Sequence, residues 1–184
     1  MSAYGPKEAG CEGASATLHA TCLVLGEDGV LITGPSGSGK SSLCLALFDG
    51  GERDGRFARL VGDDRIVLTA QHGRLIGRPH PALAGLIEIR GSGLHRLART
   101  AQAAVIRLVV ELAEKRERLP EESPADAGAT VELLGLRLPV LPLERRQPRE
   151  YLIRHGLAAL RQERHLGPQS ARRQDRPQEA LPGA

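Results

Sequence analysis

One stretch of eight residues limits what this chain can fold into more than any other, and it reads Gly34-Pro35-Ser36-Gly37-Ser38-Gly39-Lys40-Ser41. An apolar run at 29–33 precedes it and predicts a buried strand, and residues 42–48 follow it with the composition of a helix start. A G-x-x-x-x-G-K-[ST] pattern between a strand and a helix is typical of a phosphate-binding P-loop.

The residue types in this loop suit a phosphorylated nucleotide. Glycines let successive backbone N–H groups point at one anion, and the N-terminus of the following helix adds its positive dipole end. The alternative is a glycine-rich loop that only turns between strand and helix. Lysine usage favours the phosphate role, because Lys40 is one of three lysines in a chain that otherwise uses arginine. The predicted nucleotide-binding residues are Gly34, Pro35, Ser36, Gly37, Ser38, Gly39, Lys40, Ser41 and Ser42.

Composition excludes several classes of protein. The chain has two Phe, two Tyr and no Trp, so nucleic-acid binding by base stacking is not expected. The N-terminus lacks the apolar core of a signal peptide, and no apolar run approaches the roughly 18 residues of a membrane span. The spacing of Cys11, Cys22 and Cys44 fits neither a zinc site nor a disulfide framework. We therefore expect a cytoplasmic protein without a membrane partner, in which Cys22 and Cys44 are buried thiols.

The 184 residues suffice for one domain with a real core. We expect a flexible N-terminus at 1–15, a catalytic domain at 16–164 and a disordered basic tail at 165–184. From Arg145 to the end there are nine arginines against four acids. Such a tail can contact nucleic acid or acidic partners, although a solvated end is the more common role.

Turn signals divide the chain into hairpins. A predicted strand at 17–25, with His19 in it, forms a hairpin with the P-loop strand, and a second hairpin surrounds 71–73. The glycine pair at 50–51 is expected to end the P-loop helix. Further strands are expected at 103–112 and on both sides of Gly135, with a terminal helix at 149–164. Hairpins around one P-loop predict an α/β fold with a mixed, strand-rich sheet.

Phosphoryl transfer also needs a carboxylate for the metal and a group that takes the nucleophile's proton. Asp63 and Asp64 end a predicted strand; because adjacent strand residues point to opposite faces, only one can face the phosphates unless the strand ends there. The alternative is a solvated acidic turn. Glu88 lies in an apolar run, so we expect Arg90 or a metal to neutralise it. His19 could hydrogen-bond a phosphate or an acid, although a lone histidine is more often structural.

Together these residues resemble the HPr kinase/phosphorylase family, whose members phosphorylate a serine of the phosphocarrier protein HPr and reverse this with inorganic phosphate. The resemblance covers roughly 17–160 and rests on His19, the P-loop and the segments 60–64, 86–93 and 109–112. The chain resembles the short form, without the family's usual N-terminal domain. The resemblance implies a P-loop protein-serine kinase of phosphotransferase-system regulation that uses ATP and Mg²⁺, has HPr as its partner and forms a homo-oligomer, a hexamer in the family.

The resemblance also assigns roles to residues. It implies that Asp64 accepts the seryl proton and returns one in the reverse reaction, that Lys40 binds phosphate and that His19 is the active-site histidine. Arg90 falls in 87–96, a stretch implicated in both activities of the family. The implied catalytic residues are His19, Lys40, Asp63, Asp64 and Arg90, and the implied metal ligands are Ser41, Glu88 and Asp64.

One motif departs from the family. Where the family has Pro-Val-Arg-Pro-Gly-Arg-Asn, residues 139–145 read Pro-Val-Leu-Pro-Leu-Glu-Arg, so Leu141 replaces an active-site arginine. Arg145 or Arg146 could substitute for it. We expect a strong bias towards the kinase direction, with slow or absent phosphate-dependent removal of the seryl phosphate.

Two other functions remain open. A P-loop kinase of a small metabolite would need a lid, and no arginine-rich lid segment is evident. A nucleotide-binding regulatory module without turnover would be expected to lack Asp64 or Glu88, and the sequence has both.

Overall fold

The structure is a computed structural model, and it describes residues 13–113 and 129–166. Two helices lie in the described part, α1 (Lys40–Arg53) and α2 (Arg149–Leu166), with a 3₁₀ turn at Pro81–Leu83. The strands in chain order are β1 (Ser15–Leu18), β2 (Thr21–Leu25), β3 (Asp28–Thr33), β4 (Ala58–Gly62), β5 (Ile66–Gln71), β6 (Arg74–Pro79), β7 (Leu86–Ile89), β8 (Gly93–Arg96), β9 (Ala104–Ala113), β10 (Thr130–Leu133) and β11 (Leu136–Glu144).

Nine of the described strands form one sheet in the order β1-β5-β6-β9-β3-β2-β4, with β11 paired to β9 and β10 to β11. Strands β3, β9 and β11 run parallel to one another, whereas the other pairs are antiparallel. A separate hairpin consists of β7 and β8. The predicted mixed, strand-rich α/β fold is therefore confirmed, and so is the hairpin that precedes the P-loop.

Burial explains why the central strands are continuous apolar runs. Every residue of β2 and β3 is buried, since the sheet is covered on both faces there. Leu23 and Ile32 pack in a cluster with residues of both helices, whereas Cys22 and Leu31 belong to the cluster on the opposite face. Cys22 and Cys44 are buried free thiols, as predicted, and burial raises the pKa of both.

The glycine pair at 50–51 does not end α1, which continues to Arg53. Both glycines are buried inside the helix, and a Cβ on Gly51 would lie 2.7 Å from the Cβ of Ala58. Gly51 therefore allows close packing of the helix against β4, and Gly50 lies against the Arg154 side chain of α2, roles that the sequence pattern does not separate from a C-cap. The predicted strand at 17–25 is also interrupted, because His19 and Ala20 lie between β1 and β2.

A buried carboxylate joins α2 to the β2–β3 hairpin. Asp28 is fully buried, and its two oxygens accept hydrogen bonds from Arg161 Nε at 2.5 Å and Arg164 Nη2 at 2.7 Å. A buried carboxylate is costly unless donors satisfy it, and the two arginines supply those donors here. This interaction therefore contributes to the position of α2 against the sheet.

The ends of the described chain differ from the predicted domain limits. Strand β1 begins at Ser15, inside the segment predicted to be flexible, and α2 ends at Leu166, inside the predicted tail. The rest of both predictions, at 1–12 and 167–184, falls outside the described residues. Among the described helices, none is long and apolar enough to cross a membrane.

Candidate active site

The P-loop connects the end of β3 to the start of α1. Gly34, Gly37 and Gly39 adopt φ values of 138°, 78° and 93°, in the range that favours glycine. A Cβ on Gly34 would also lie 2.6 Å from the carbonyl oxygen of Leu112 on the neighbouring β9. The loop conformation therefore depends on the glycines, and no side chain caps the N-terminus of α1 at Gly39.

Lys40 lies inside this loop and is only 7% exposed. Its Nζ donates to the carbonyl oxygens of Gly34 and Pro35, both at 3.0 Å. Desolvation lowers the pKa of Lys40, and the nearby Asp63 and Asp64 carboxylates oppose that shift. Because an ammonium group has three N–H donors, a further one remains for a ligand.

A buried hydroxyl in the same loop tests whether an anion fits. Ser38 Oγ is buried and has no hydrogen-bond partner among the described residues. Buried polar groups are rarely left without a partner in proteins, and the exceptions often mark a ligand site. A phosphate oxygen would provide the missing acceptor, so the loop fits a phosphorylated ligand.

Asp63 is the buried centre of the site, at 5% exposure. Its carboxylate accepts hydrogen bonds from Thr21 Oγ1 at 2.5 Å, Ser41 Oγ at 2.9 Å and the backbone N–H of Glu88 at 3.0 Å. These three donors belong to β2, α1 and β7. Sequence analysis did not identify Thr21, although a hydroxyl at the start of an otherwise apolar strand is the signal that could have revealed it.

Asp64 points away from this buried cluster. Strand β4 ends at Gly62, and Asp64 then adopts a left-handed conformation with φ 65°. Its side chain is 45% exposed, and its Oδ1 lies 2.9 Å from His19 Nδ1, with Arg65 Nε 3.8 Å from Oδ2. Aspartate is one of the few residues besides glycine that adopt this conformation readily. The strand thus ends where it must for both acids to lie near the P-loop.

Glu88 is exposed, so the structure corrects the assumption that its carboxylate is buried. Its side chain lies on β7, whose neighbour Ile87 is fully buried, and its assignment as a metal ligand stays a prediction. Arg90 follows in the turn between β7 and β8, and its Nη2 lies 3.4 Å from the position of a Cβ on Gly37. The guanidinium therefore approaches the P-loop, and the described residues show no ion pair between Arg90 and Glu88.

The predicted metal ligands are brought together only in part. Ser41 Oγ donates a hydrogen bond to the Asp63 carboxylate, and the backbone N–H of Glu88 donates to the same carboxylate. Asp64 instead pairs with His19. The described residues contain no group of three or more His, Cys, Asp and Glu side chains that could hold a metal by themselves. Mg²⁺ in phosphate sites commonly uses one or two carboxylates, with phosphate oxygens and water completing the shell. The oxygen donors of Ser41 and Asp63 fit such an ion.

Leu141 has a structural role here. It is 7% exposed and belongs to the apolar cluster that packs against both helices. Arg145 and Arg146 are exposed in the segment between β11 and α2. A cation at position 141 would therefore have to enter the core, so any positive charge for the site must come from another position.

The site consists of a P-loop that connects a strand of the sheet to a helix. Asp63 accepts a hydrogen bond from the serine of this loop, Ser41, and Asp64 lies at its solvent-exposed side. These features define a P-loop α/β protein. The sequence matches the HPr Serine kinase C-terminal domain over residues 13–166. The chain therefore belongs to the HPr serine kinase C-terminal domain family.

Similar proteins agree with this assignment. The chain is 42% identical over 106 residues to the HPr kinase/phosphorylase of Mycoplasma mycoides, covering 54% of this chain and 32% of that protein. It is 36% identical over 132 residues to the HPr kinase/phosphorylase of Burkholderia cenocepacia, covering 66% and 38%. The chain thus spans about a third of the length of these curated relatives. The structure of the Hpr(Ser) kinase/phosphatase from Coxiella burnetii matches with a TM-score of 0.68 at 30% identity, covering 82% of this chain and 99% of that one.

Proposed function

We propose that this chain is the catalytic domain of a cytoplasmic protein-serine kinase that uses ATP and Mg²⁺ to phosphorylate a serine of the phosphocarrier protein HPr, and that it acts as a homo-oligomer. Family membership supports the kinase class, and the names of the relatives support HPr as the substrate. The observation that carries the proposal is the His19–Asp64 pair, a half-exposed carboxylate beside the P-loop.

The exposure of this pair favours a protein substrate. A seryl hydroxyl on a folded protein can reach a catalytic base only where that base is open to solvent. Asp64 is 45% exposed and His19 is 51% exposed, so both are accessible. A small-metabolite kinase instead encloses its substrate to exclude water.

The residues of the site have separate roles in this proposal. The P-loop N–H groups and Lys40 orient the phosphates and offset their charge. Ser41 and Asp63 would hold Mg²⁺, which when bound neutralises charge on the transferred group. Asp64 accepts the seryl proton, and His19 holds its Oδ1 so that the carboxylate keeps one orientation. Leu141 offers no cation for an incoming phosphate, which supports a bias towards the forward reaction.

The test is to incubate the full chain with purified HPr, ATP and Mg²⁺ and to locate any added phosphate by mass spectrometry. We expect one phosphoserine on HPr, and none with a Lys40→Met variant whose fold is checked by circular dichroism. Pyrophosphate release from the phosphorylated HPr at saturating phosphate is expected to be much slower than the forward reaction. Absence of phosphoserine on HPr would contradict the proposal. ATP turnover with a small acceptor would then favour a metabolite kinase, and nucleotide binding without turnover a regulatory module.

A further inference from the structure

A cleft of about 370 Å³ lies beside the C-terminal end of α2. Its four walls are the turn between β5 and β6, the beginning of β9, the β10–β11 hairpin and the last turns of α2. The beginning of α2 approaches the P-loop instead, since Arg149 Nη1 lies 3.7 Å from the position of a Cβ on Gly39. From Arg149 to Arg164, which lines the cleft, the helix extends roughly 22 Å at the α-helical rise per residue. The cleft is therefore distinct from the candidate active site.

All the charged residues in the lining of this cleft are arginines. Each of the four walls contributes one, and the described lining contains no aspartate or glutamate: Arg74, Arg107, Arg137 and Arg164. The first three form no ion pair with a carboxylate in the described part of the chain. Glu132 is opposite Arg137 in the β10–β11 register, but these two residues are not joined by an ion pair either. A cleft lined by charge of one sign focuses its electric field and attracts a ligand of the opposite sign.

An irregularity of the sheet positions Arg107. Strands β6 and β11 pair with the same edge of β9, but β6 pairs with it only as far as Val105 and β11 only from Val109. On the other edge, the register of β3 shifts between Gly29 and Val30 and skips Arg107. In the described sheet, Arg107 is therefore the extra residue of a β-bulge, at the fork between two strands. Bulges commonly redirect a side chain beside a functional site, and this one places an arginine in the wall of the cleft.

A buried carboxylate holds the arginine of α2 in place. Arg164 Nη2 donates a hydrogen bond to Asp28 Oδ1 at 2.7 Å, and Asp28 is fully buried. Because a guanidinium group has five N–H donors, this contact leaves other donors of Arg164 for a ligand. A side chain that is already fixed before binding loses little conformational entropy when the ligand arrives. Arg164 is thus a cation prepared for binding at the edge of the cleft.

We propose that this cleft binds a small organic anion that carries two or more phosphate or carboxylate groups. A guanidinium group binds either kind of anion through two parallel N–H···O bonds, and four arginines exceed what one such group can pair. The volume of the cleft lies within the range of about 300–1,000 Å³ that is common for small-molecule sites. Apolar residues complete the lining and suit the carbon skeleton of an organic ligand: Leu75, Ile106, Leu136, Leu138 and Leu160. The site does not depend on the proposed kinase function.

The test is calorimetric titration of the full chain with two probes that share a three-carbon chain, propane-1,3-bisphosphonate and glutarate. The titrations use a Lys40→Met background, so that the P-loop does not compete for the probes. We expect one probe molecule per chain, and Arg107→Gln or Arg137→Gln should weaken its binding about tenfold. Arg137 is exposed, so its replacement does not endanger the fold. Arg78→Gln is the matched control, because Arg78 is exposed on β6 outside the cleft, and it should change the affinity by less than about twofold.

The two probes also identify the chemistry of the ligand. Binding of the bisphosphonate alone indicates a phosphorylated ligand, binding of glutarate alone indicates a carboxylate ligand, and either result supports the inference. Absence of saturable binding of both probes at about 10 mM would overturn it. The inference also fails if Arg137→Gln and Arg107→Gln bind the probes as the Lys40→Met parent does. An equal loss of affinity in Arg78→Gln would show that the probes respond to surface charge in general, and would contradict a site in the cleft.

Discussion

Asp63 and Asp64 are adjacent in the sequence but belong to two halves of the site with opposite environments. In the buried half, Asp63 accepts hydrogen bonds from Thr21, Ser41 and the backbone of Glu88. In the open half, Asp64 is half exposed and pairs with His19. The difference arises because β4 ends at Gly62 and Asp64 takes a left-handed conformation, which turns its side chain away from its neighbour's.

Asp63 and Asp64 thus meet two different requirements although they are neighbours in the chain. A buried carboxylate is stable only when donors surround it, and those donors then hold it in one place. A buried carboxylate held in this way is suited to fixing the position of the Ser41 side chain. A carboxylate that must take a proton from a substrate has to keep part of its surface free. The buried half should therefore control stability, whereas the open half should control turnover.

The largest effect should come from the open half. Asp64→Asn removes the proposed proton acceptor, so kcat is expected to fall by about 10²–10⁴-fold. Asparagine tolerates the left-handed conformation, and the group is exposed, so the free energy of unfolding should change by less than about 1 kcal/mol. Steady-state kinetics and urea denaturation measure both quantities. An Asp64→Asn variant with a small loss of kcat and a large loss of stability would contradict the assignment of turnover to the open half and of stability to the buried half.

The buried half should respond in the opposite way. Asp63→Ala leaves three donors without their acceptor, and a loss of about 3 kcal/mol in the free energy of unfolding is expected. Urea denaturation at one pH gives this value, and Asp49→Ala, at an exposed position of α1, is a control for the loss of one carboxylate. An unchanged denaturation midpoint for Asp63→Ala would show that the hydrogen bonds to Asp63 contribute little.

A smaller change in the buried half tests a single donor to Asp63. Thr21→Val removes one hydroxyl donor to Asp63 and keeps the shape of the side chain, so a loss of about 1–2 kcal/mol is expected. Thr17→Val is the matched control, because Thr17 is exposed on β1 and its change should be within about 0.5 kcal/mol. Equal denaturation midpoints for the two variants would show that the hydrogen bond from Thr21 to Asp63 does not stabilise the fold.

Several features of the fold were predictable because they depend on local patterns. The hairpins, the strand at 104–113 and the terminal helix follow from turn residues and the periodicity of apolar residues. The predicted end of α1 and the assumed burial of Glu88 were wrong, because packing overrides the local signal at both places. Gly50 and Gly51 lie inside α1 because the helix approaches its neighbours closely there. Glu88 is exposed because β7 belongs to a small hairpin and not to the covered sheet.

The P-loop, its lysine and serine, the pair of acids and the hairpins could be predicted from the sequence, since each depends on residues within one turn or in neighbouring strands. Only the packing of distant segments sets which acid is buried, that Thr21 binds it from 42 positions away, and that Arg149 lies beside Gly39 of the loop. These contacts join strands and helices distant in the chain. Their geometry depends on where β4 ends and how α2 packs, and burial of the whole core sets both.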